Sequence, residues 1–202
     1  MKFIKKIICY VVFWPICILL ILLESCETNR FEKVDLNDAE MDSISIWMEL
    51  GMNSKIDKKI RLNNLSKAYN TLLLSQNDSL IIDKLLDIAD QYYELKESTL
   101  FKRLNNEIYS IALKENDSQS IAEYHWNKGN ILSDSAVLDS AYFHYNKAQQ
   151  LYEKIGNEYY MAKMQFNMSY IQMNVKNYVE SEILVIKAIN TFEKLNKNLN
   201  LY

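Results

Sequence analysis

Slid along itself by 40 residues, the chain brings small and apolar positions onto their own kind. Ala122 falls on Ala162, Asn127 on Asn167, Ala148 on Ala188 and Tyr152 on Phe192. Glu153-Lys154 meets Glu193-Lys194, and the turn residue Gly156 meets Asn196. In the other direction Ala89 lies under Gly129, Phe101 under Ala141, Ile111 under Leu151 and Asn116 under Gly156. Chance would scatter such matches, whereas these fall on turns and on positions fit for packing. A fixed period of this length implies one supersecondary unit used several times. The units expected are 82–121, 122–161 and 162–201.

Within a unit the apolar spacing is helical. Leu138, Ala141, Tyr142, Tyr145, Ala148, Leu151, Tyr152 and Ile155 recur at three- and four-residue steps and make one stripe. Ser133-Asp134-Ser135 breaks the pattern before that helix, and Asn116-Asp117-Ser118 breaks it between units, with Asp117 or Ser118 as N-cap. Ser98 is expected to cap a helix running to about Lys114, and Asn177 one running to about Leu195. Residues 39–52 and 55–76 read as a further, degenerate helix pair within 38–81. Gly129 and Ser169 stand mid-helix, where Gly costs about 1 kcal/mol relative to Ala. Together with Ala141, Ser181, Ala148 and Ala188, they suit a close approach between paired helices. A lone pair cannot hide its stripe, so neighbours must stack. The expected fold is all-α: a right-handed solenoid of helical hairpins with one concave face.

Composition agrees. Three Gly and one Pro among 202 residues are too few for the corners of a β protein or a loop-rich α/β enzyme. The 14 Tyr, 7 Phe and 3 Trp oppose disorder. A net charge of -3 gives nucleic acid no electrostatic footing.

Asn127-Lys128-Gly129-Asn130, then Ala141, Tyr145, Lys147-Ala148 and Leu151, resemble a tetratricopeptide repeat (TPR). Asn167, Asn177-Tyr178, Ser181 and Lys187-Ala188 resemble the next. The usual proline after the second helix is missing, and the period is 40 rather than the family's typical ~34 residues, so the helices are longer. The resemblance implies a binding surface for proteins or peptides, lined by the first helix of each unit. Carried over, the groove positions are Asp83, Leu86, Asp90 and Tyr93 in one unit; Glu123, Trp126, Asn130, Ser133 and Asp134 in the next; and Lys163, Phe166, Tyr170 and Asn174 in the last. Chaperone-binding members clamp a carboxylate with basic residues. Leu86, Trp126 and Phe166 stand at those places here, which disfavours that variant. The competing reading of Trp126, Phe166 and Tyr170 is packing between stacked helices.

No catalytic constellation is legible. His125 and His144, the only histidines, are 19 apart with no His or Cys four residues away, so a structural or surface role is expected and no metal or other cofactor is implied. Asp83, Asp87, Asp90 and Glu94 follow a helix face and read as a solvated acidic surface.

The N-terminal 26 residues form a separate segment. Lys2, Lys5 and Lys6 precede an uncharged run from Ile7 to Leu23, about 25 Å long as a helix against a ~30 Å hydrocarbon layer. Leu23-Glu24-Ser25-Cys26 resembles a bacterial lipobox with Cys26 as the lipidated residue, although Glu24 departs from the pattern. The alternative is an uncleaved signal-anchor helix. Either places residues 27–202 outside the cytoplasm, on a membrane, with 27–37 as a polar tether. All three cysteines lie in this segment, so the rest of the chain has no disulfide framework. At the other end, Leu199-Asn200-Leu201-Tyr202 stands where another unit would start. Ile183, Leu184, Ile186, Ile189 and Phe192 are then expected to be partly uncovered, so that either the chain self-associates or docks through that end or it is the N-terminal piece of a longer protein. The functional expectation is a non-catalytic, membrane-tethered scaffold for a protein or peptide. The alternative is the sensory half of a signalling regulator whose output domain lies outside this chain.

Overall fold

The computed structural model describes residues 34–75 and 78–199, and within these the chain is all-helical. The eight helices are α1 (Asp38–Met52), α2 (Lys58–Leu72), α3 (Asp78–Glu94), α4 (Ser98–Glu115), α5 (Ser118–Asp134), α6 (Leu138–Lys154), α7 (Glu158–Asn174) and α8 (Tyr178–Leu199). They begin at 38, 58, 78, 98, 118, 138, 158 and 178, one every 20 residues. The anchor segment 1–26, with Cys26, lies outside the described residues. Among those described, no helix is long and apolar enough to cross a membrane.

Local chemistry accounts for the punctuation. From α3 to α7 each helix is followed by a residue with left-handed backbone: Lys96, Asn116, Ala136, Gly156 and Lys176, again 20 apart. In each case the following amide reaches back to a carbonyl five residues earlier. These bonds run from Glu97 to Tyr92 (2.8 Å), Asp117 to Ala112 (2.9 Å), Val137 to Leu132 (2.9 Å), Asn157 to Tyr152 (2.8 Å) and Asn177 to Gln172 (2.9 Å). This is the Schellman closure, which satisfies carbonyls stranded at a helix end. Side-chain caps open first and second helices alike, Asp57 opening α2 by accepting from the Lys59 amide. Asn37 forms a capping box with Glu40, Asp117 accepts from the amides of Gln119 and Ser120, and Asn157 accepts from Tyr160. Asn177 accepts from Glu180 at 3.5 Å, and its helix continues to Leu199 rather than Leu195. Ser98 is not a cap: Glu97 occupies that position without a side-chain bond, and Ser98 is already helical. The preceding Schellman turn and the 20-residue spacing fix this start without help from a hydroxyl.

The helices pack mainly on their neighbours in chain order, as hairpins α1–α2, α3–α4, α5–α6 and α7–α8, giving a solenoid-like stack. The hairpin starts at 78, 118 and 158 lie four residues before 82, 122 and 162. Self-comparison measures a period and is blind to its phase; the turns set the phase.

Two apolar cores lie along the stack. The first is mostly aliphatic, built on Ile44, Leu65, Leu72, Leu85, Ile88 and Ile108, with Tyr69, Tyr92 and Phe101 buried among them. The second combines small and long residues: Ala122, Ala141, Ala148, Tyr145, Tyr152 and Met164. Of the α6 stripe, Ala141, Tyr145, Ala148 and Tyr152 are buried, Leu138, Tyr142 and Leu151 are half-buried, and Ile155, just past the helix, is exposed. Close approach explains the small residues. A methyl added at Gly129 would lie 2.6 Å from two atoms of the Tyr145 ring. One hairpin later, Ser181 Oγ donates to the Ser169 carbonyl at 2.9 Å, drawing α8 onto α7 by a hydrogen bond instead.

A polar seam joins α4 to α5. Asn127 Nδ2 donates to the buried Asn105 Oδ1 at 3.1 Å, and Asn105 Nδ2 donates to the Tyr124 carbonyl at 3.3 Å. Beside them the rings of Tyr109 and Tyr124 stack at 4.0 Å.

Candidate functional site

The first helices α3, α5 and α7 share a face, and the 40-residue period aligns their side chains along it. One row holds Asp83, Glu123 and Lys163; the next Leu86, Trp126 and Phe166; the next Asp90, Asn130 and Tyr170. Contacts between the helices tie the rows together. The Tyr93 hydroxyl reaches Asp134 at 3.5 Å, the limit for a hydrogen bond. Trp126 meets Tyr160 at a centroid distance of 5.7 Å. The face grades from acidic on α3 to aromatic and basic on α7.

Phe166 and Tyr170 are both 53% exposed, so packing between helices does not account for them. Trp126 is half-buried and packs against the second core. Asn130 is committed, since its Oδ1 accepts from the Tyr145 hydroxyl at 2.9 Å. Asn174 turns back on the Tyr170 carbonyl at 2.8 Å. The open part of the face is therefore Asp83, Asp90, Tyr93 and Asp134 on one side and Phe166 and Tyr170 on the other.

Charge on this face is poorly compensated. Burial raises the Asp90 carboxyl above its ordinary range, Asp87 and Glu94 raise it further, and Lys163 opposes them. Burial likewise raises Glu123; Asp90, Asp117 and Asp83 add to this, and a 2.7 Å bond from Gln119 Nε2 opposes it. Asp87 is raised by burial and then by Asp83. Burial lowers the Lys163 ammonium, with Asp90 acting against it. Carboxylates on α3 and α5 thus crowd one another.

Several features were not legible in sequence. Tyr159 and Tyr160 open α7 and extend the aromatic part of the face, yet their spacing reads only as a helix start. His125 and His144 meet across the α5–α6 hairpin, Nδ1 to Nδ1 at 2.9 Å. At that distance one ring must donate and the other accept, so the two rings cannot both be imidazolium. Burial, then His144, then Lys147 push His125 down to about 4, and His144 is lowered by burial and then Lys128. A second apolar surface lies on α8, where Tyr178, Val179, Ile183, Ile186 and Ile189 are exposed while Leu184 is buried.

No family model matches this sequence, and no curated protein is significantly similar to it. The class defined by the geometry is an all-α, solenoid-like stack of helical hairpins.

Proposed function

We propose that the protein is a non-catalytic scaffold of tetratricopeptide type, a right-handed solenoid whose first helices line a concave groove that binds a protein or peptide segment. The observation that carries this reading is the pair of exposed rings, Phe166 and Tyr170, in register with Trp126 and the carboxylates of α3 and α5. Rigid rings set among polar groups are the usual anchors of peptide recognition. The basic and apolar N-terminal segment supports a membrane tether ending at Cys26 or continuing as an anchor helix, with the repeats outside the cytoplasm. The apolar outer face of α8 supports self-association through that end. No chemistry, metal or nucleic acid enters this reading.

A photo-crosslinking residue placed at Tyr170 tests it against one at Leu113, which is half exposed on α4. In cells of the native host, discrete adducts from position 170 and none from position 113 are expected. Equal labelling at the two positions, or none at either, would refute a groove-binding scaffold.

A further inference from the structure

The face already holds a cation. Lys163 Nζ lies 4.3 Å from the centre of the Trp126 ring, 5.3 Å from Tyr160 and 5.7 Å from Tyr159. The rings brace one another without it: Tyr159 meets Tyr160 edge-on at 5.3 Å, and Tyr160 stacks on Tyr152 at 5.2 Å. Such a cage attracts an ammonium or guanidinium through the negative faces of its rings. Asp90 reaches Lys163 through space, and Glu123 stands on the same row one hairpin back. Beneath the rings Tyr152 is fully buried, and its hydroxyl has no hydrogen-bond partner among the described residues. That hydroxyl lies within electrostatic reach of Glu123. The unpartnered phenol, which can donate or accept, leaves a polar group unsatisfied under the ring cage.

Resting on the scaffold reading above, we propose that Trp126, Tyr159 and Tyr160, backed by Asp90 and Glu123, form a receptor for a Lys or Arg side chain of the bound peptide, and that Lys163 occupies it as an internal stand-in in the free protein. The flexible stem of Lys163 lets its head leave for solvent when a stronger cation arrives. Exposed Phe166 and Tyr170, further along α7, then take the apolar side chains flanking that cation. The partner is thus a basic and apolar extended segment, complementary to a face that grades from acidic to aromatic.

The test has two arms, both on the full chain in detergent at 150 mM salt. In the first, random decapeptides displayed on phage are selected for binding, and the winners are re-measured on Phe166→Ala. In the second, a fluorescent tetra-arginine peptide is titrated against wild type, Lys163→Met, Lys187→Met, Trp126→Ala and Glu123→Gln. Lys187, exposed on α8, controls for the lost charge. A stand-in that fills the cage nine-tenths of the time lowers apparent affinity about tenfold, so Lys163→Met should tighten binding about that much and Lys187→Met by less than about twofold. Glu123→Gln, which keeps the side-chain shape and guards against misfolding of Trp126→Ala, should weaken binding about fivefold to tenfold. Winners rich in Lys or Arg complete the expected result. Winners that need Phe166 but lack cations, or a Lys163→Met no tighter than Lys187→Met, overturn the cation receptor and leave the scaffold standing. Absence of any winner overturns both.

Discussion

Replacing Gly129 by Ala sets two well-calibrated effects against each other. Helix propensity alone favours Ala by about 1 kcal/mol at an interior position. The new Cβ, however, would lie 2.6 Å from both Cδ1 and Cε1 of Tyr145. Carbon pairs rest at about 3.5–4.0 Å, so the ring must retreat by about 1 Å. Tyr145 is 4% exposed and sits in the second core, so it cannot turn away without disturbing α5 or α6. Overpacking of this kind costs about 1–3 kcal/mol. Displacing the ring also strains its 2.9 Å bond to Asn130, worth about 1 kcal/mol. The sum is a net loss of about 1–3 kcal/mol, and each kcal/mol moves the midpoint by about 2–4 °C for a chain of this size. The assay is thermal denaturation of the full chain followed by helix circular dichroism. Repeating Gly129→Ala in a Tyr145→Ala background removes the clash and leaves propensity, so there the substitution should stabilise by about 1 kcal/mol. A Gly129→Ala chain that melts above wild type, or shows the same sign in both backgrounds, would refute the close-approach argument.

The remaining predictions concern turns, titration and the seam. Ala136 and Lys176 hold left-handed backbone at φ 57° and 63°, so Ala136→Gly should stabilise by about 0.5–1 kcal/mol in urea unfolding. Gly156→Ala, with nothing within 4 Å of the added methyl and φ 74°, should destabilise by about 1 kcal/mol through backbone strain alone. His125 and His144 both titrate lower when folded than the ordinary value of about 6.5. Their contribution is intact above that value and falls as the pH drops towards about 4, because the unfolded chain takes protons that the folded pair refuses. Asp87, Asp90 and Glu123, raised in the folded state, act in the opposite sense, so the melting difference between pH 7.5 and pH 5.5 should shrink in His125→Gln if the pair governs it. Asn127→Ala leaves the buried Asn105 Oδ1 without its donor and should cost about 1–3 kcal/mol, read as a lower urea midpoint. Phe166→Ser, at a half-exposed position, should leave the midpoint within about 0.5 kcal/mol of wild type while abolishing peptide capture.

Much of the fold was legible because it is local. Hydrophobic stripes at three- and four-residue steps, small residues at 129, 141, 148 and 188, and breaks at 116 and 156 act within a helix or a single turn, and they imply stacked hairpins without reference to distant residues. Asp117 shows this at the scale of one side chain, accepting from two amides that its position alone puts in reach. Phase was less legible, because any 40-residue window repeats equally well. Ser98 misled for a related reason: a hydroxyl near a helix start resembles a cap, but a Schellman closure two residues earlier had already set where the chain turns.

The sequence by itself determined the class of object, since period, stripe and turn chemistry are properties of neighbours along the chain. Only the tertiary structure decided the contacts on which the site depends. Lys163 rests on Trp126, 37 positions away, and His125 faces His144 because α5 and α6 cross closely enough at Gly129 to bring those faces together. Which rings form a cage, which carboxylates crowd and which hydroxyl lacks a partner depend on crossing geometry fixed by side-chain volume between helices. That information is spread over every packed residue rather than held in any one motif.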